Sequence, residues 1–254
     1  MAFDTPIPFA RALAWLRAKG LLPTAAGSAE ISTWETDVRE RSFFSARQMR
    51  EDALGTLASN VDRILNPTTE TRDDGSPYTS GKNFVQARAD IQQAFRDLGV
   101  RPDEGTAGTL LDHTSDQRID LVLRTNVQMA QGFGYHEAGQ TPEALELYPC
   151  WELFRAEERM VPRDWAHRWD EAAKAVGDDD ALTCRERTGR MVARKDSPIW
   201  VALSAFGTPY PPFDYNSGMD LRAVDRADAV ELGVIDDLAV IRPTFTSFAL
   251  QEAA

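Results

Sequence analysis

The chain has 254 residues, 43% of them hydrophobic and 27% charged, enough apolar material for one large domain or a core domain with a helical extension. Its 28 Lys and Arg against 40 Asp and Glu give a formal net charge of −12, which argues against a surface that wraps nucleic acid, because such binding rests on neutralising phosphates. No apolar run approaches the roughly 20 residues that span a bilayer, and the N-terminus lacks the charged-then-apolar pattern of a signal peptide, so we expect a cytoplasmic protein with no membrane contact.

Phe9 to Lys19 reads as a short helix, with Phe9, Leu13 and Leu16 at helical spacing, Trp15 widening the apolar face and Gly20 at the stop. Ser32-Thr33-Trp34-Glu35 has the Ser-x-x-Glu form of a capping box. From Ser45 to Leu65, Leu54, Leu57, Val61 and Ile64 follow a helical rhythm that Asn66-Pro67 ends. Residues 66 to 82, rich in Thr, Asp, Gly, Ser and Pro, read as a solvated loop. Asn83 to Leu98 repeats the apolar stripe with Phe84, Ile91, Phe95 and Leu98, so it pairs with the preceding helix as an αα-hairpin. A third helix runs from Asp116 to Ala138, its last turns weakened by Gly132 and Gly134.

After Thr141-Pro142 the rhythm changes. Residues 147 to 154 alternate as in a strand with Pro149 near its start or at an edge. Asp164 to Val176 is a helix carrying Trp165 and Trp169 at i and i+4, followed by an Asp178-Asp179-Asp180 turn. Arg190 to Ala193 reads as a short strand, Asp196-Ser197-Pro198 as a helix start, Asp225 to Asp228 as the start of the last helix, and Ile235 to Pro243 as a final strand. The predicted class is α+β, a helical N-terminal half followed by a mixed domain with a small sheet. Its predicted parts are a helical extension over 1–40, a helical part over 41–140 and an α+β part over 141–254.

The stretch Pro209-Tyr210-Pro211-Pro212-Phe213-Asp214-Tyr215 stands out. Proline fixes φ and removes a donor, so this is a stiff loop that presents three aromatics on a backbone with little entropy left to lose. Such a loop either covers its own core or meets a partner. Pro209, Tyr210, Pro211, Pro212, Phe213 and Tyr215 are the candidate partner-binding residues.

Chemistry is sparse by comparison. The three histidines, His113, His136 and His167, form no ligand pair at metal spacing, and Cys150 and Cys184 make neither a CxxC nor a disulfide framework. There is no GxSxG, Walker loop or GxGxxG. The aspartates from Asp178 to Asp180 and at Asp214, Asp220, Asp225 and Asp228 read as turn and cap residues rather than metal ligands. Arg155, Arg159, Arg163 and Arg168, interleaved with Glu157 and Glu158 and near Trp151, Trp165 and Trp169, read as an internal ion-pair and cation–π network rather than a phosphate grip. No catalytic residue, metal or cofactor is assigned.

The order of segments resembles the minor head proteins of tailed phages, of the phage Mu protein-F or head-morphogenesis type. The residues that carry the resemblance are the Arg-Thr helix Ile119 to Ala130, with Arg124 and Thr125, the aromatic strand Tyr148 to Arg155, and the step Arg159-Met160-Val161-Pro162-Arg163. Asp196, Pro198 and Trp200 follow, and then Pro211-Pro212. The resemblance covers roughly residues 40 to 235. Where family members often carry Cys-Arg-Cys after the Pro-Pro pair, this chain has Phe213-Asp214-Tyr215-Asn216, and His167 is a loose counterpart of a histidine often found after the Pro-Arg pair, so no metal or thiol role is carried over.

The resemblance implies a structural minor head protein of the virion, present in few copies. It would contact portal or capsid proteins and further copies of itself, bind no specific nucleic-acid sequence, and assist head assembly, DNA packaging or ejection. The rival readings are a neck or connector adaptor, and a phage-encoded nuclease-like enzyme in which Asp220 or His167 would act.

Overall fold

The computed structural model describes residues 9–72 and 74–244, and in them the chain is α+β, with helices throughout and small sheets of two and three strands. It divides into two compact units, residues 1–131 and 132–254. The division falls inside the long helix α6 (Asp116–Ala138) rather than after it, and residues 9–40 belong to the first unit instead of forming a separate extension.

In the first unit, α1 (Phe9–Arg17) buries Ala12, Leu13, Trp15 and Leu16 and packs on α4 (Glu51–Leu65). β1 (Gly20–Leu21) runs parallel to β2 (Ser42–Phe43), with the short helices α2 (Ser28–Ile31) and α3 (Thr36–Arg41) between them. The expected capping box at Ser32 is absent. Ser32 and Thr33 instead donate their hydroxyls to Ala29 O and Glu30 O at 2.6 and 2.7 Å, and it is Glu30 that caps α2, accepting from Gly27 N at 2.8 Å. Ser and Thr hydroxyls satisfy the backbone carbonyls of a helix end as readily as the amides of a helix start, so the spacing alone did not place the cap.

α4 starts at Glu51, later than its apolar rhythm suggested. The backbone of residues 45–48 is used elsewhere, with Thr24 N donating to Gln48 O at 2.9 Å and Arg47 N to Ala26 O at 2.9 Å. Residues 66–82 are not a plain loop, because β3 (Thr68–Thr71) and β4 (Pro77–Ser80) pair antiparallel. Three of the four residues of β3 are threonine, a strand former, and Gly75 at φ 82° makes the turn. α5 (Phe84–Asp97) packs on α4 as expected, capped by Asn83 and Gln86 in a reciprocal box.

The second unit is built around a three-stranded antiparallel sheet in the order β6-β5-β7, where β5 is Cys150–Arg155, β6 Met191–Arg194 and β7 Met219–Val224. β5 is central, so Pro149 stands just before the strand rather than on an edge strand. α7 (Pro142–Leu147), α8 (Trp165–Val176), α9 (Asp179–Thr188), α10 (Ile199–Leu203) and α11 (Arg226–Glu231) surround it. α9 replaces the expected acidic turn, since Asp178 is its N-cap and accepts from Ala181 N at 3.1 Å.

Alternation on β5 splits the core in two. Trp151 and Leu153 face α8, α10 and the loop after it, while Cys150 packs with Val192, Val224, Cys184 and the segment after α11. No strand forms over 235–243. Ala239 N closes a turn on Asp236 O at 3.0 Å, and Arg226 binds the carbonyls of Asp237 and Ala239, both at 3.1 Å.

Candidate functional site

The Pro-rich loop follows α10 and enters the core. Tyr210 and Phe213 are 0% exposed, Pro211 and Pro212 are buried, and Pro209 and Tyr215 are half-buried. The partner-binding assignment is therefore corrected for Tyr210, Pro211, Pro212 and Phe213, because a contact residue must offer side-chain surface and theirs is spent within their own unit, while Pro209 and Tyr215 keep part of their surface.

Phe213 lies 6.2 Å from Trp200, which in turn stacks edge-on against Trp169 at 5.4 Å. Tyr210 lies edge-on to Phe133 at 5.8 Å and beside His136 at 5.8 Å, and Tyr215 packs edge-on against Phe206 at 4.8 Å. Offset and edge-on ring pairs of this kind stabilise by about 0.5–1.5 kcal/mol each beyond their burial. The indoles are anchored too, Trp200 Nε1 donating to Arg194 O at 2.8 Å and Trp169 Nε1 to Ala181 O at 3.3 Å.

The backbone of the loop approaches α6 so closely that a Cβ at Gly132 would lie well inside contact distance of Pro211 O. A Cβ at Gly139 would likewise overlap the Trp151 ring. The glycine that weakens α6 as a helix is thus the one that lets the loop dock on it. Ala205 N donates to Phe213 O at 2.8 Å and Thr208 Oγ1 to Tyr210 O at 3.3 Å, which closes the loop on itself.

Three of the four arginines of the cluster, Arg159, Arg163 and Arg168, form the expected internal network, whereas Arg155 leaves a buried Nη1 without a partner. Asp214 accepts from Arg168 at 2.8 Å and faces Arg163 at 3.4 Å, Arg163 also donates to Tyr215 O at 3.0 Å, and Arg159 donates to Asn216 O at 3.1 Å while pairing with Glu157 at 2.6 Å. Arg168 lies 4.3 Å from the Trp165 ring. These groups tie the segment after β5 to the end of the Pro-rich loop.

Three charged or titratable groups sit in the core where no motif announced them. Glu152, at the centre of β5, binds Arg190 at 2.6 Å and Arg222 at 2.9 Å; burial alone would raise its carboxyl, but the bonds from the two arginines outweigh burial and hold it below the usual range. Lys195 donates to Gly139 O at 3.1 Å and Ala144 O at 3.2 Å over the Trp151 ring, and burial lowers it to about 8. His136 faces Thr244 O at 3.3 Å, and burial lowers it to about 4, with Lys195 adding to the shift and the Thr244 bond opposing it. The only sequence signal for Glu152 was an acid within a strand of apolar neighbours.

Cys150 and Cys184 are free and buried, and burial pushes the Cys150 thiol up to about 12, which leaves it protonated and unreactive. His167 is exposed on α8, and Asp220 is an exposed residue of β7 whose carboxyl is raised by partial desolvation and by the charge of Glu157. Among the described residues no group of three or more His, Cys, Asp or Glu is placed to hold a metal ion. No family model, curated protein or solved structure matches the chain.

Proposed function

We propose that the chain is a structural minor head protein of a tailed phage, associated with portal or capsid and assisting head assembly, DNA packaging or ejection. The observation that carries this reading is where the motif residues lie. Pro198 stands at the start of α10 and Trp200 within it, Pro211-Pro212 sits against Gly132, and Arg159 and Arg163 bind the turn just beyond, within residues 132–254, while Arg124 and Thr125 lie on the part of α6 that belongs to residues 1–131. Asp196 belongs to the same architecture, pairing with Arg194 at 2.8 Å and accepting from Arg242 N at 3.1 Å. Residues widely spaced in sequence, some packed in the core and others fastening one loop, fit a signature of architecture better than one of catalysis.

The acidic balance supports partners that are proteins rather than duplex DNA. The test is genetic. Removing the gene from a phage that encodes the chain should reduce filled heads without lowering portal or capsid synthesis, and supplying the chain from a plasmid should restore them. Normal filled heads in its absence would overturn the assembly role.

A further inference from the structure

The sheet of the second unit ends on one side in β7, which pairs with β5 and with no other strand. The direction of its backbone groups follows from two bonds. Lys195 N donates to Pro149 O at 2.9 Å, which turns the odd-numbered residues of β5 towards β6, and Ala156 N donates to Gly218 O at 2.9 Å, which turns the even-numbered ones towards β7. Met219, Leu221 and Ala223 therefore point their amides and carbonyls away from the sheet. Side chains alone meet those amides: Met219 N donates to Ser217 Oγ at 3.2 Å, Leu221 N to Asp220 Oδ1 at 2.7 Å and Ala223 N to the Tyr135 hydroxyl. The three carbonyls have no partner among the described residues.

An open edge is a template for a further strand, and β7 is the longest one here, with six residues. β3, β4 and β6 have four residues each, and β1 and β2 have two. On β6, moreover, the outward carbonyl of Arg194 is already taken by Ser197 N at 3.1 Å and Trp200 Nε1 at 2.8 Å.

The order of charges along β7 says what fits it. Asp220 and Arg222 are both exposed and lie on the same face of the strand. Arg222 shares Glu152 with Arg190, while Asp220 makes no ion pair among the described residues, its neighbour Glu157 being paired with Arg159. Two copies of β7 laid antiparallel must bond through their outward residues, so a two-fold axis passes through Met219, Leu221 or Ala223. An axis at Leu221 sets Asp220 of each copy opposite Arg222 of the other, in the close pairs about 4.5 Å apart that flank the bonded one. An axis at Met219 or at Ala223 sets Arg222 opposite Asn216 or Val224 instead. We propose that two copies of the chain associate edge to edge through β7, antiparallel about Leu221, with Asp220 of each paired to Arg222 of the other. The carboxylate that holds Leu221 N turns to the guanidinium across the axis and frees that amide for the Leu221 carbonyl of the second copy. The contact is isologous and joins two three-stranded sheets into one. A strand with another order of charges is disfavoured, because like charges directly opposite destabilise a pair. The inference concerns the purified chain and does not rest on the head-protein reading.

The test is sedimentation equilibrium of the full chain. The wild type should show a reversible equilibrium between monomer and dimer with no larger species. Asp220→Arg, at an exposed position, sets arginine opposite arginine at both places and should weaken the dimer at least about tenfold. Arg222→Asp sets aspartate opposite aspartate and should do the same. An equimolar mixture of the two variants restores opposite charges at both places and should dimerise as the wild type does. Circular dichroism establishes that each variant folds, and where Arg222→Asp does not, the wild type and Asp220→Arg still decide. A wild type that stays monomeric at about 1 mM, an Asp220→Arg dimer of undiminished strength, or two folded variants that do not associate on mixing would overturn the inference.

Discussion

At the scale of single residues, Gly132 and His136 show how much of the second unit is decided by space rather than by propensity. Both lie on α6, where the helical rhythm was legible, but the reason for a glycine in that rhythm was not, because it is the Pro211 carbonyl that excludes a side chain. Gly132→Ala should therefore destabilise by about 1–3 kcal/mol in a urea melt, against the ordinary helix preference for alanine. Gly55→Ala, on α4 with only the Leu21 methyl at 3.6 Å, should instead stabilise by about 0.5–1 kcal/mol. His136 gives a pH signature. Its folded value of about 4 lies below the ordinary 6.5, so the unfolded chain binds more protons between those values and stability falls as pH drops from 6.5 towards 4, by roughly 3 kcal/mol in all. His136→Gln should remove most of that slope from thermal melts taken at pH 7, 6, 5 and 4, whereas an unchanged slope would place the sensitivity elsewhere.

At the scale of elements, the long helices were legible because their apolar stripes are local facts. The bounds of α6 and the cores of α5 and α8 follow from side chains three and four apart. Some short elements were legible, among them β6 and the starts of α10 and α11, but β7 and the β3–β4 hairpin were not, because no local apolar pattern announces them. β7 lies beside β5 across the α8–α9–β6 excursion, and the β3–β4 hairpin is a polar ribbon whose threonines read equally well as loop. α9 looked like an acidic turn because its first residues are aspartates, yet acids belong at a helix start, where they complement exposed amides and the helix dipole. Asp178 also accepts from the Ser197 hydroxyl, so one carboxylate joins the start of α9 to the segment before α10. Asp178→Ala should cost about 1–3 kcal/mol in chemical denaturation, and Asp178→Asn, which keeps an acceptor for the cap, should recover a large part of it.

At the scale of the whole molecule, the stiff aromatic loop that drew attention in the sequence turns out to be core. The reasoning that a rigid, aromatic segment must bury its rings was sound, but nothing local says whether the burying surface is the same chain or another one. The glycine and the ring partners that receive it lie at Gly132, Phe133, Trp200 and Phe206, and only folding brings them together. The most exposed large apolar side chains among the described residues are found instead at Met160 and Val161, within the Arg-x-x-Pro-Arg step, and at Leu238 and Val240 near the end of the described chain. The proposed role asks for a protein present in a particle at few copies. The direct measurement is quantitative mass spectrometry of particles purified from cells making the tagged chain, with its ratio to portal and major capsid protein determined. A low, fixed ratio, comparable to portal and far below capsid, is the predicted result; a chain found only free, with none in purified particles, would contradict the account.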